Sequence, residues 1–400
     1  MRRWRLLALF AVAVTMAVAS WQAGRGPTYA DYASAAPAQS SAASSGTAVA
    51  AWPGAAISSA AVPPEHAQAV AQARALAQQW LTERGWPGVS VAVGVHGEIV
   101  WSEGFGYADI ENRVAVWPET KFRVGSVSKP LTAAALALLV EQGKLDLDAP
   151  VQRYVPGFPD KGKPVRSRLV AGHLAGIRHY RGAEFMIAKR YNSVTESLEI
   201  FEDDPLVFEP GARFGYSSYG WNLLSAVVEG ASGEKFLDYM NASVFRRLGL
   251  RHTLADENDV LIPHRARFYQ RNSDGVLHNA PYVDNSYKWA GGGFLSTTED
   301  LVRFASAHLK PGFLKAETLK LLFTSQRTAA GEETHYGIGW AVRADEKDRR
   351  TISHGGGSVG GTTMLLMYPD SGVVIAMAVN LSSARLAQRD TAQIAALFMK

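Results

Sequence analysis

Phe122-Arg-Val-Gly-Ser126-Val-Ser-Lys129-Pro130 runs straight into Leu-Thr-Ala-Ala-Ala-Leu-Ala-Leu-Leu-Val140, and its reading decides the rest of the chain. The pattern predicts an extended segment that turns at Gly125 and enters a helix at or just after Ser126. Ala, Leu and Val fill that helix, and Glu141-Gln-Gly143 supplies a glycine at its end. Residues three apart share a helix face, which puts the Lys129 amine within reach of the Ser126 hydroxyl. Unpaired amides of a first helical turn attract negative charge. A serine placed there gains a proton acceptor and a field that favours its oxyanion, the two needs of an activated nucleophile. Pro130 falls near the helix start, where a missing donor costs least.

Ser-x-x-Lys is a short pattern, and Ser232-Gly-Glu-Lys235 repeats it. That copy sits where one helix stops at Gly230-Ala-Ser-Gly233 and another begins, so Ser232 reads as a helix cap.

With 400 residues, nearly half of them apolar, the chain can bury a sizeable core. It has no cysteine, which excludes disulfides, thiolate metal sites and a cysteine nucleophile. Setting aside Arg2, Arg3 and Arg5 brings the 41 Lys and Arg residues to within one of the 37 Asp and Glu. A near-neutral chain with no basic run gives no reason to expect nucleic acid as a partner.

Those three arginines precede an apolar run from Leu6 to Ala19, and Ala17-Val-Ala19 offers small residues for cleavage. Residues 1–20 therefore read as a secretory signal, with an uncleaved anchor as the alternative. The expected location is periplasmic or secreted, or else anchored in the inner membrane facing the periplasm. Residues 21–64 are rich in Ala, Ser and Pro and read as a flexible linker. The folded domain is expected over 65–400.

A helix is expected from Glu65 to about Arg84, followed by a hairpin of Val89–Val95 and Glu98–Ser102 across His96-Gly97. Val165 to Leu206 reads as short helices, and two more follow between Phe214 and Met240. Pro281 to Leu295 reads as an aromatic, glycine-rich loop ending in a helix capped at Thr297. Strands are expected at Gly337–Arg343, Arg350–Ser353, Thr362–Tyr368 and Gly372–Val379, and a final helix from Ser383 to Met399. This order implies an α+β fold: one antiparallel sheet joins the N- and C-terminal strands, the terminal helices cover one face, and a mostly helical central region lies beside the other. Ser126 would then lie at the junction of the two parts, a usual place for a pocket.

Two further segments fit that junction. Phe214-Gly-Tyr216-Ser-Ser218-Tyr-Gly220 can present a phenol and a hydroxyl just before an apolar helix. A tyrosinate or hydrogen-bonded Tyr216 beside Lys129 could relay a proton to a leaving group, although a buried aromatic with a satisfied hydroxyl is the commoner case. In Ser353-His354-Gly-Gly-Gly357-Ser-Val-Gly-Gly361, glycines let a substrate approach the backbone. An amide at Gly356 or Gly357 and that of Ser126 could then form an oxyanion hole. The Gly-x-Gly-x-x-Gly match from Gly355 to Gly360 lacks the helix that a dinucleotide site needs. His173 and His179 lack a third ligand and read as structural or rim histidines, and Asp256-Glu-Asn-Asp259 lacks the spacing of a calcium loop. No metal and no cofactor is called for.

Taken in order, Ser126-Val-Ser-Lys129, Tyr216-Ser-Ser218 and His354-Gly-Gly resemble the serine beta-lactamase and penicillin-binding-protein superfamily, in its branch with class C beta-lactamases, D-aminopeptidases and esterases. Ala171-Gly-His-Leu-Ala-Gly-Ile-Arg-His-Tyr180 and Pro281-Tyr-Val-Asp-Asn-Ser-Tyr-Lys-Trp-Ala-Gly-Gly-Gly-Phe-Leu-Ser296 further resemble the mitochondrial serine beta-lactamase-like family of animals, described as filament-forming serine peptidases that influence lipid metabolism. The likeness implies a beta-lactamase/transpeptidase-like fold in a bacterial relative. It makes Ser126 the acylated nucleophile, Lys129 its base and Tyr216 the proton relay, with Gly357 on the oxyanion strand. His354 stands where many relatives have the lysine of Lys-Thr-Gly. Ser218 replaces the asparagine that binds the acyl amide of beta-lactams, and Gly355 replaces threonine or serine. The resulting expectation is a serine hydrolase working through an acyl-enzyme, foremost a peptidase on a small peptide or acyl substrate. An esterase or beta-lactamase is the alternative, as is a filament-forming or binding scaffold with vestigial activity. The resemblance also raises a homo-oligomer or filament. Membrane contact is expected only through the N-terminal anchor.

Overall fold

The computed structural model describes residues 57–58 and 62–399. The expected signal segment and most of the expected linker lie outside the described residues. Within that linker, Ile57–Ser58 forms a short strand opposite Gly104 and Glu103, so its end is part of the sheet.

Helix α1, Ala67–Glu83, leads into strands β1, Gly88–Val95, and β2, Glu98–Asp109. Positive φ at His96 and Gly97 makes the turn between them. After α2, Ser128–Glu141, come α3, Ser218–Ser232, and α4, Thr298–Ser306. The chain closes with β3, Ala341–Ala344; β4, Arg350–Ser358; β5, Gly361–Tyr368; β6, Val373–Val379; and α5, Gln388–Ala395. One antiparallel sheet runs Ile57–Ser58, β2, β1, β6, β5, β4, β3. Its seam is β1 on β6, with Val89 opposite Val379 and Val95 opposite Val373, which joins the two ends of the chain as expected.

Strand alternation sorts the two faces. Val89, Val91 and Val93, with Ile375, Met377 and Val379, pack against Ala73, Ala77 and Trp80 of α1 and Ile394 of α5. The opposite face carries smaller groups on β1, where Ser90 Oγ meets Thr298 Oγ1 at 2.7 Å. Ala92, Val374 and Ala376 on that face join the core of α2 and α4. Helix α2 is buried from Ser128 to Leu139. A helix apolar all round belongs in a core, and this one fixes Ser126 at the boundary between sheet and helical region.

Three expectations need correction. The expected strand over Gly337–Arg343 forms only from Ala341. Gly339 has φ +78°, and a Cβ on it would meet Ala133 Cβ at 2.7 Å and Trp221 at 2.8 Å, so this segment bends inward onto α2 and α3. The glycine run does not lie between strands: β4 continues through it to Ser358, and the turn falls at Val359–Gly360. The final helix starts at Gln388 rather than Ser383, because Ser383 and Arg385 hold positive φ and the Asp390 carboxylate accepts the Ala387 amide at 2.8 Å. By contrast, Thr297 caps α4 as expected, its hydroxyl accepting the Asp300 amide at 3.2 Å. Ser232 closes α3 before Gly233, its hydroxyl accepting the Glu234 amide at 3.1 Å.

Among the described residues no helix is long and apolar enough to cross a membrane, and no group of three acidic or histidine side chains is placed to hold a metal ion.

Candidate active site

Ser126 lies in the single 3-10 turn Gly125–Val127 that opens α2, and it is partly exposed while its neighbours are buried. Gly125 holds φ +51°, and a Cβ there would meet the Gly357 carbonyl oxygen at 2.5 Å. A Cβ on Gly356 would fall 2.0 Å from the Val124 oxygen and 3.3 Å from the Ser126 nitrogen. The glycines of β4 thus let its backbone lie directly on the serine turn. Beyond Ser353, β4 pairs with β5 on one side only, so its other edge is open at this point.

Lys129 is fully buried, and its Nζ lies 3.0 Å from Ser126 Oγ, 3.1 Å from Ser218 Oγ and 2.6 Å from the Gly291 carbonyl. Burial holds this amine well below the ordinary lysine range, and the charge of Lys288 pushes it the same way. Lys288 is itself 2% exposed. Its Nζ is 4.4 Å from the Phe185 ring centre, and burial lowers its pKa to about 7.

The Tyr216 ring centre is 5.0 Å from Lys129 Nζ, and its phenol faces Ser126 and Ser218. Burial outweighs the two hydroxyls and raises its pKa, so Tyr216 is a protonated phenol rather than a tyrosinate. Its loop is held from behind. Ser217 caps α3 by accepting the Gly220 amide at 3.0 Å, and its own hydroxyl donates to the Arg178 carbonyl at 2.7 Å. The amides of Ser217 and Ser218 donate to Nδ1 of His173 and of His179, each at 3.1 Å. Both imidazoles must keep that nitrogen unprotonated, and burial lowers both pKa values, that of His179 to about 3. The structural reading of these histidines therefore acquires content: they hold the loop that presents Tyr216.

His354, which stands where many relatives have a lysine, is a neutral side chain, 6% exposed, with its pKa lowered to about 3 by burial and then by the charge of Lys129. Both ring nitrogens are engaged, Nε2 with the Tyr336 hydroxyl at 2.8 Å and Nδ1 with the Gly355 carbonyl at 2.6 Å. Ser218, expected to face substrate, is drawn onto the lysine. Tyr336 and the Gly291 carbonyl belong to this cluster and were not singled out by the sequence reading. Neither carries a spacing signal, since Tyr336 merely precedes Gly337-Ile-Gly-Trp340 and Gly291 contributes only backbone.

This fold and this serine–lysine–tyrosine cluster define a class, and the comparisons agree with it. The Beta-lactamase family profile matches residues 68–398, and the chain belongs to that family of serine hydrolases. It is 36% identical over 427 residues to the mitochondrial serine beta-lactamase-like protein LACTB of Homo sapiens, across 80% of this chain and 78% of the relative. It is 30% identical to penicillin-binding protein 4* of Bacillus subtilis, across 68% of this chain and 64% of that one. Among solved structures, the octameric penicillin-binding protein homologue from Pyrococcus abyssi superposes with a TM-score of 0.68 at 26% identity, covering 79% of this chain and 74% of its own.

Proposed function

We propose that this chain is a serine hydrolase that works through an acyl-enzyme on Ser126 and acts foremost as a peptidase. The observation that carries the reading is the buried Lys129 amine 3.0 Å from Ser126 Oγ, in surroundings that favour its neutral, proton-accepting form. Lys129 takes the Ser126 proton as Oγ bonds to the substrate carbonyl carbon. The oxyanion faces the amides of Ser126 and Gly357 on the open edge of β4. Collapse breaks the bond to the leaving group, which receives the proton from Lys129 through the Tyr216 phenol. Water then gives a proton to the same pair as its oxygen bonds to the ester carbon; collapse breaks the bond to Ser126 Oγ, which takes that proton back.

The test is covalent labelling with a fluorophosphonate, mapped by mass spectrometry. Ser126→Ala abolishes the label and Ser232→Ala leaves it intact; a label that survives the first change overturns the assignment.

Two further features belong to the same reading. The basic and then apolar start, Met1 to Ala19, supports a periplasmic or secreted location. The octameric state named for the Pyrococcus abyssi homologue supports self-association of this chain. Light scattering of the purified protein should then give a mass above that of one chain, and a monomer at micromolar concentration removes both assembly and the scaffold alternative.

A further inference from the structure

We propose that Tyr336 is a positioning residue: by donating its hydroxyl proton to Nε2 of His354, it fixes that imidazole as the neutral Nδ1–H form that anchors the Gly355 carbonyl at the open edge of β4. The inference rests on the acyl-enzyme reading of Ser126 and assigns a role in it to a residue outside the serine–lysine–tyrosine set.

The proton placement comes from what each atom can do. A carbonyl oxygen only accepts, so the 2.6 Å contact between His354 and Gly355 requires a hydrogen on Nδ1. In a neutral imidazole Nε2 is then an acceptor, and the hydroxyl 2.8 Å away is its donor. Tyr336 is 6% exposed, and burial raises the pKa of its phenol, so it keeps the proton it donates. The groups facing the imidazole are Lys129 from α2 and Tyr336; the His173 ring lies 4.8 Å behind Tyr336, and the Tyr216 ring 4.2 Å from His173. A proton gained by His354 would stand near Lys129, and among the described residues no carboxylate acts on the ring to offset it.

The consequence reaches the reacting atoms through the strand. Gly355 is followed by Gly356, which lies against Val124 and Ser126, and by Gly357, which lies against Gly125. Close backbone packing leaves no room for compensating movement, so the tilt of the Gly355 carbonyl sets how the next amides face Ser126. Without the Tyr336 hydroxyl, Nε2 is a buried acceptor with no donor. The ring is then free to change tautomer or to turn, and either change releases the Gly355 carbonyl.

Two measurements test this. The first is the rate of fluorophosphonate labelling from pH 5 to 9 in the wild type, Tyr336→Phe, His354→Asn and the double variant Tyr336→Phe/His354→Asn. Tyr336→Phe should label about tenfold more slowly at pH 7, the equivalent of one neutral hydrogen bond. The double variant should label at the rate of His354→Asn alone, because Tyr336 acts through the imidazole. A Tyr336→Phe rate equal to the wild type, or a full further loss in the double variant, overturns the proposal. The second is the nitrogen NMR spectrum of the His354 ring, identified by its loss in His354→Asn. In the wild type it should show the Nδ1–H form unchanged from pH 8 to 5, and in Tyr336→Phe it should no longer show that single form. A wild-type ring that titrates near 6.5, or that carries its proton on Nε2, refutes the inference even if Ser126 is labelled. Should the wild type take no label at all, the Ser126 reading falls while the ring spectra still decide the role of Tyr336.

Discussion

The Nζ of Lys129 lies 3.1 Å from the Oγ of Ser218, and this contact gives the Ser218 hydroxyl to the lysine. Counting protons around the amine fixes the direction of each bond. The Gly291 carbonyl can only accept, so it takes one N–H of the neutral amine at 2.6 Å. One N–H and one lone pair remain for two hydroxyls. When Ser218 accepts that N–H, the lone pair is left facing Ser126, whose own O–H must donate. Ser126 is thereby set to lose its proton to Lys129.

Ser218→Ala should break that arrangement without removing any reacting group. The spare N–H of Lys129 can then turn to Ser126, which blocks proton transfer in part of the population. Labelling of Ser126 should persist at about a tenth of the wild-type rate, the worth of one neutral hydrogen bond. An unchanged rate would show that Ser218 does not orient the amine.

Lys129 also links activity to stability with opposite demands. Its folded pKa is depressed below the ordinary lysine value of 10.5, so the native state binds fewer protons than the unfolded chain throughout the interval between the lowered value and 10.5. Stability from this group therefore rises with pH across that interval and is lost as pH falls. Lys129→Met should abolish labelling yet raise Tm by about 2–8 °C at pH 6, with a smaller gain at pH 9. A Tm that falls on substitution at both pH values would contradict the account of a neutral buried amine.

Gly356→Ala tests the strand-on-turn packing. The added methyl would lie 2.0 Å from the Val124 carbonyl oxygen, well inside contact distance. Relief requires β4 or the Ser126 turn to move, at about 1–3 kcal/mol and with loss of labelling. Urea denaturation and labelling rate together check this. A variant with wild-type stability and rate would mean that the two backbones do not meet as described.

Much of this was legible in sequence because local pattern and tertiary role coincide. The valines of β1 and β6 are strand formers, and the Ala- and Leu-rich α2 is a helix by propensity and a core element by composition. The serine turn was readable because a glycine, a helix start and a lysine fall at fixed spacing. The extent of β4 was less so, since three consecutive glycines read as a turn, while here they extend because Val124–Ser126 lies against them. The state of His354 was hidden for a similar reason. Its pKa is lowered by burial and by Lys129, and its Nε2 partner is Tyr336, eighteen residues away in sequence; none of these is a local property.

Substrate preference depends on Ser218 and His354. Binding a beta-lactam calls for a side-chain amide to hold the acylamino group and a fixed cation to hold the ring carboxylate. Ser218 has no amide, and its oxygen already accepts from Lys129 at 3.1 Å. His354, with a pKa of about 3, carries no charge at neutral pH and cannot serve as that cation. Losing a hydrogen bond to a charged group costs about 1.5–3 kcal/mol, roughly ten- to a hundredfold or more in binding. Short peptide or ester substrates should therefore show higher kcat/KM than cephalosporins. His354 should add no inflection to the profile above pH 5, and Lys129 must be neutral to act. Comparing nitrocefin, a chromogenic peptide panel and a short acyl ester from pH 5 to 9 decides this. Nitrocefin turnover well above every peptide and ester would mean that the cleft supplies an amide and a cation from residues other than Ser218 and His354.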